Sequence, residues 1–91
     1  MKDALLYLAC KHATVSAELA HVAAESYADN KNAEAYLYTA ASDAYAEAAY
    51  CYEYAAERIE DIDLNKYIAE AEAEAASAAK YIADAKSVNH A

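Results

Sequence analysis

Ninety-one residues correspond to one small domain with limited capacity to bury a core. The apolar fraction of 59% is mostly 28 alanines and 10 tyrosines, and glycine and proline are absent, which disfavours hairpin-rich β folds and glycine-dependent phosphate loops together. A net charge of −9 argues against direct contact with nucleic acid, which relies on Lys and Arg, and against anionic lipid; it favours basic protein surfaces, including those that normally hold nucleic acid.

Ala, Glu, Lys and Leu are strong helix formers, so an all-α fold follows. The first helix is expected from about residue 3 to 28. Leu5, Leu8, His12, Val15, Leu19 and Val22 recur at alternating spacings of 3 and 4, a heptad pattern. That register places Cys10 on the outer face and turns His21 outward. The polar run Asp29-Asn30-Lys31-Asn32 then interrupts the helix, with Asn32 as expected N-cap of the next one and Glu34 in its first turn, where the macrodipole favours an anion.

The second helix is expected over 33–61, with a seam of Tyr38, Ala41, Tyr45, Ala48, Tyr52, Ala55, Ile59 and Ile62. Alternating large and small residues let facing layers interdigitate at short distance. Cys51 falls at the edge of this seam. The third helix is expected over 64–88, capped by Asp63, with an Ile62–Tyr67 staple and a seam of Leu64, Ile68, Ala71, Ala75, Ala78, Ile82 and Ala85. Ser87 to Ala91 are expected to fray. The glycine-free link between the second and third helices leaves one bent continuous helix as an alternative. Three seams with short links predict a single up-down-up three-helix bundle in the left-handed packing class. Leu, Ile and Val together supply only thirteen residues. So thin a core makes dimerisation an expected remedy.

Two features bear on function. From Asp43 to Glu74 ten acids (Asp43, Glu47, Glu53, Glu57, Glu60, Asp61, Asp63, Glu70, Glu72, Glu74) stand against Arg58 and Lys66. Glu57, Glu60 and Asp61 crowd the expected end of the second helix, where the macrodipole disfavours anions. A local rule broken without visible compensation is where function is sought, the plain alternative being a solvated acidic end. Tyr36, Tyr50 and Tyr54 fall on the outer side of the second helix, Tyr27 on the outside of the first, and Tyr67 and Tyr81 flank the third. Tyrosine is enriched at binding hot spots, and tyrosines among carboxylates engage Arg and Lys by cation–π contacts and ion pairs together. The candidate partner-binding residues are therefore Tyr36, Asp43, Glu47, Tyr50, Glu53, Tyr54, Glu57, Glu60, Asp61, Glu70 and Glu74. Amphipathic surface cover or a dimer interface would also account for the tyrosines.

Catalytic and metal chemistry find little footing. Glu18-Leu19-Ala20-His21, with Glu25 one turn on, has the Glu-x-x-His spacing of di-iron bundles, but a second such motif would require a symmetric dimer. His12 sits among leucines as a polar residue that fixes register. Cys10 and Cys51 fit neither a disulfide framework nor metal spacing. No catalytic residue, metal ligand or cofactor is assigned, and the chain is read as a non-enzyme. Met1 to Leu8 is too short an apolar run for a signal peptide, and no window approaches a membrane span of ~20 apolar residues, so a cytoplasmic location is expected.

The leading expectation is a protein-binding module, an inhibitor or adaptor that docks on a basic, nucleic-acid-binding protein surface as a mimic of nucleic-acid charge. In size and charge, rather than in any motif, the chain is similar to the small acidic helical inhibitors of bacterial defence that phages encode, anti-CRISPRs among them. That likeness implies the same inhibitor role. A structural homo-oligomeric bundle is the alternative, and a metal-binding bundle the third.

Overall fold

The computed structural model describes residues 1–60 and 63–90, with side chains as far as Val88. It is an all-α three-helix bundle: α1 spans Lys2–Ala28, α2 Asn32–Glu57 and α3 Leu64–His90. The chain turns between α2 and α3, so the bent-helix alternative does not hold. No helix among the described residues is long and apolar enough to cross a membrane.

Between α1 and α2 the turn is made without glycine. Asn30 takes the left-handed conformation at φ 62°, the N–H of Lys31 donates to the carbonyl of Ser26 at 2.9 Å, and that of Asn30 to Tyr27 at 3.0 Å. This is a Schellman closure with asparagine in glycine's usual place. Because Asn30 and Lys31 are used in closing α1, the chain is already helical at Asn32. Lys31 holds the N-cap position, without a side-chain cap, and the expected Asn32 cap is not formed.

The far end of α2 differs more. The helix stops at Glu57, four residues before the expected end, and the Arg58 N–H reaches back only to the carbonyl of Ala55 at 3.3 Å. The last turn carries no basic residue. Negative charge accumulates where the helix dipole is already negative, so unwinding there relieves repulsion. Asp63 directly precedes α3 and its carbonyl accepts the Lys66 N–H at 3.1 Å. The expected staple cannot be placed, because Ile62 lies outside the described residues. At the other end α3 stays helical to His90 rather than fraying at Ser87.

α2 is the central helix. Both neighbours bring Cα atoms within 8 Å of it, whereas no Cα of α1 comes that close to any of α3 among the described residues. The cause can be read from two stripes of seven-residue period on α2. Glu34, Ala41, Ala48 and Ala55 form one, and Ala35, Ser42, Ala49 and Ala56 the other; all eight are buried. Residues one apart lie about 100° around a helix, so two neighbours packed ~8 Å away on these stripes have axes ~12 Å from each other. Tyr38, Tyr45 and Tyr52 lie between the stripes and fill the resulting wedge. Tyr52 is buried and the other two half-buried. The bundle is accordingly an open V, with Cα extents of 47 × 18 × 14 Å.

On the α3 side the alanines meet as expected. Ala71, Ala78 and Ala85 are fully buried at heptad intervals, flanked by half-buried Leu64, Ile68, Ala75 and Ile82. On α1 half of the expected seam holds and the other half shifts by one residue. Leu5 and Leu19 are buried and His12 half-buried as expected. Ala9 and Ala23 are buried in place of Leu8 and Val22, Leu8 and Val15 pack half-buried against the core, Ser26 is buried one turn further on, and Val22 is exposed. Close-packed helices admit only small side chains along the line of contact, so the larger residues move to its flanks. His12 is held there by a 2.7 Å bond from its Nδ1 to the Leu8 carbonyl, with its ring 5.6 Å from that of Tyr45 and 5.2 Å from that of Tyr52.

Candidate functional site

The back of α2, away from the wedge, carries Tyr36, Asp43, Tyr50 and Glu57 at intervals of seven, all exposed. This row is what the heptad leaves outside once α1 and α3 have taken the two buried stripes. Asp43 stands between two grooves. Toward α1 it borders an open, mostly apolar groove of about 600 Å³ formed with Ala20, Ala23, Tyr27, Ala35 and Tyr36. Toward α3 it joins Glu47, Glu74, Ser77 and Tyr81 around a groove of about 360 Å³.

Further along the α2–α3 junction, Glu47, Tyr50, Cys51, Tyr54, Tyr67 and Glu70 enclose a smaller hollow of about 240 Å³. The tyrosines there are arranged ring to ring. Tyr50 and Tyr54 have centroids 6.1 Å apart at 31°, and Tyr54 and Tyr67 are 4.9 Å apart at 40°. The Arg58 guanidinium carbon lies 4.0 Å from the centroid of the Tyr54 ring, a cation–π contact within the chain. Burial, then the carboxylates of Glu70, Glu47 and Glu74, hold the Cys51 thiol above its ordinary value. Partial desolvation, then the Tyr54 phenol and Glu70, raise that of Tyr67, with Arg58 pulling the other way. In both groups burial is the larger cause and the neighbouring carboxylates add to it.

Of the candidate partner residues, α2 and α3 bring six together along one side: Asp43, Glu47, Tyr50, Tyr54, Glu70 and Glu74. Tyr36, at the start of the row, borders the groove toward α1 instead. Glu53, Glu57 and Glu60 are exposed but line none of the three grooves, and Glu60 falls in the turn after α2 rather than in its last helical turn. Asp61 lies outside the described residues. Tyr67, Tyr81 and Arg58 were not among the candidates, although they border the same face. Once α2 is known to end at Glu57, the antiparallel register sets Tyr67 opposite Tyr54; with α2 extended to residue 61 that pairing is hidden.

Elsewhere, Cys10 is exposed and Cys51 half-buried, as expected from their register. His21 projects outward and its Nε2 lies 2.7 Å from the carboxylate of Glu25 on an open surface. Both carboxylates of the Glu-x-x-His region are exposed too, so the motif does not face the bundle interior. No family model matches the chain, and no curated protein and no solved structure matches it either.

Proposed function

We propose that this protein is a binding module that docks the α2–α3 face onto a basic surface of another protein, as an inhibitor or adaptor. The observation that carries the reading is the convergence of Asp43, Glu47, Glu70 and Glu74, from two helices, beside the ring-to-ring tyrosines Tyr50, Tyr54 and Tyr67. A merely solubilising surface spreads acids widely and needs no aromatic cluster among them. Tyrosine supplies contact area with little conformational freedom to lose, and clustered carboxylates steer a basic partner and fix its register. A partner whose basic groove normally holds nucleic acid would meet in this face a similar line of negative charge. An anti-defence role of the anti-CRISPR type is one setting for such an inhibitor, and a cytoplasmic location would suit it.

The test is affinity capture from a bacterial lysate at low and high salt, with captured proteins identified by mass spectrometry. The proposal expects a specific basic protein that salt releases. An absence of any partner at either salt, together with a self-associated mass in solution, would replace it with the homo-oligomeric bundle.

A further inference from the structure

The hollow at the α2–α3 junction has a chemistry of its own. Three tyrosines and two carboxylates, with the half-buried Cys51, line about 240 Å³. That volume is below the ~300–1,000 Å³ typical of small-molecule sites and suits one inserted side chain. We propose that this hollow is a cage for the guanidinium group of an arginine that the basic partner presents. The inference rests on the binding-module reading and names the partner's anchoring residue.

The ligand class follows from the walls. Aromatic faces are the negative pole of the ring quadrupole and attract cations. Tyr50 is 62% exposed, so its ring is reachable from solvent, while the half-buried Tyr54 and Tyr67 form the fixed side. Glu47 and Glu70 can accept the forked N–H groups that a guanidinium offers and an ammonium does not. A planar guanidinium also stacks on a ring where an ammonium acts only as a point charge. The chain itself supplies an example: Arg58, which is not among the residues lining the hollow, lays its guanidinium on Tyr54 at 4.0 Å. Glu47 and Glu70 both line the hollow, so the charge beside the rings has the sign that attracts a cation.

The experiment titrates the full chain with an alanine-based helical peptide carrying one arginine, and with the same peptide carrying lysine instead. Tyrosine ring resonances are followed by NMR. The cage predicts shifts at Tyr50, Tyr54 and Tyr67 with the arginine peptide, none at Tyr7 or Tyr27, and lysine-peptide binding weaker by about fivefold or more. Tyr50→Ala, a change at an exposed position, should bring the arginine peptide down to the lysine level without altering the circular dichroism spectrum. Equal binding of the two peptides, or arginine-induced shifts confined to other tyrosines, would overturn the cage and leave the acidic docking face standing. No response to either peptide would overturn both.

Discussion

The hydroxyl of Ser16 donates to the backbone carbonyl of Ser42 at 2.8 Å, and the hydroxyl of Ser42 donates to the carbonyl of Ser16 at 2.8 Å, with the two hydroxyl oxygens 3.2 Å apart. A serine side chain spans the gap between two helix backbones only when those backbones lie very close. The reciprocal bond therefore fixes both the separation of α1 and α2 and their register. It also explains why Ala9, Ser16 and Ala23 lie on the line of closest contact, with Leu5 and Leu19 buried beside them and Leu8 and Val15 on its flanks.

Replacing either serine with alanine removes one hydrogen bond and should destabilise by about 1 kcal/mol. Ser42→Val should cost more, about 1–3 kcal/mol, because its added bulk forces the helices apart. Chemical denaturation checks the order. A valine variant as stable as wild type would show that α1 and α2 are not packed at serine distance.

Tyr52 and Tyr50 are two residues apart and oppositely placed, the first buried in the wedge and the second exposed on the back of α2. Tyr52→Ala should cost about 3–5 kcal/mol, by analogy with other aromatic truncations in cores, while Tyr50→Ala should stay within about 0.5 kcal/mol. Comparable losses at both positions would mean that the faces of α2 are wrongly assigned.

How far such placements could be read from the sequence depended on the helix. In α3, large and small residues fall on one heptad stripe, so period alone located Ala71, Ala78 and Ala85. In α2 the period identified the tyrosine–alanine seam but not its division, since a linear pattern does not show that the alanines face α3 and the tyrosines fill a wedge. The second stripe, Ala35, Ser42, Ala49 and Ala56, carries no strong hydrophobic signal and so is not legible in the pattern. In α1 hydrophobicity pointed to Leu8, Val15 and Val22, because transfer free energy ranks them above the alanines that close packing requires. The candidate site was legible as charge and aromatic content on one side of α2. The partnership of Tyr54 with Tyr67 was not, because it depends on where α2 ends.

Asn30 holds a positive φ that a residue with Cβ ordinarily avoids. Asn30→Gly should be neutral or stabilise by up to about 1 kcal/mol, whereas Asn30→Val should destabilise by about 1–2 kcal/mol. Thermal melts of the two variants distinguish these outcomes, and a valine variant that melts with the wild type would remove the Schellman closure from the account.

Burial, then Glu72, raise the Tyr52 phenol above its ordinary value, and Cys51 and Tyr67 are raised as well. The unfolded chain therefore gives up these protons at lower pH than the folded one, so their stabilisation is complete below the ordinary thiol and phenol values and is lost as pH rises past them. Stability should begin to fall near pH 9 and fall further above about 10. In Tyr52→Phe the loss above pH 10 should be smaller; a decline identical to wild type would show that Tyr52 does not contribute to it.

The central claim is that the face shared by α2 and α3 binds a basic protein, and one comparison tests it most directly. Two variants with the same charge change are used in the low-salt capture: one reverses Glu47, Glu70 and Glu74 to lysine, the other reverses the exposed Glu18, Glu25 and Asp29 of the α1 side. The account predicts unchanged helicity in both, loss of the partner in the first and its retention in the second. Equal loss in both would reduce the interaction to overall charge, and retention in the first would show that the partner binds elsewhere.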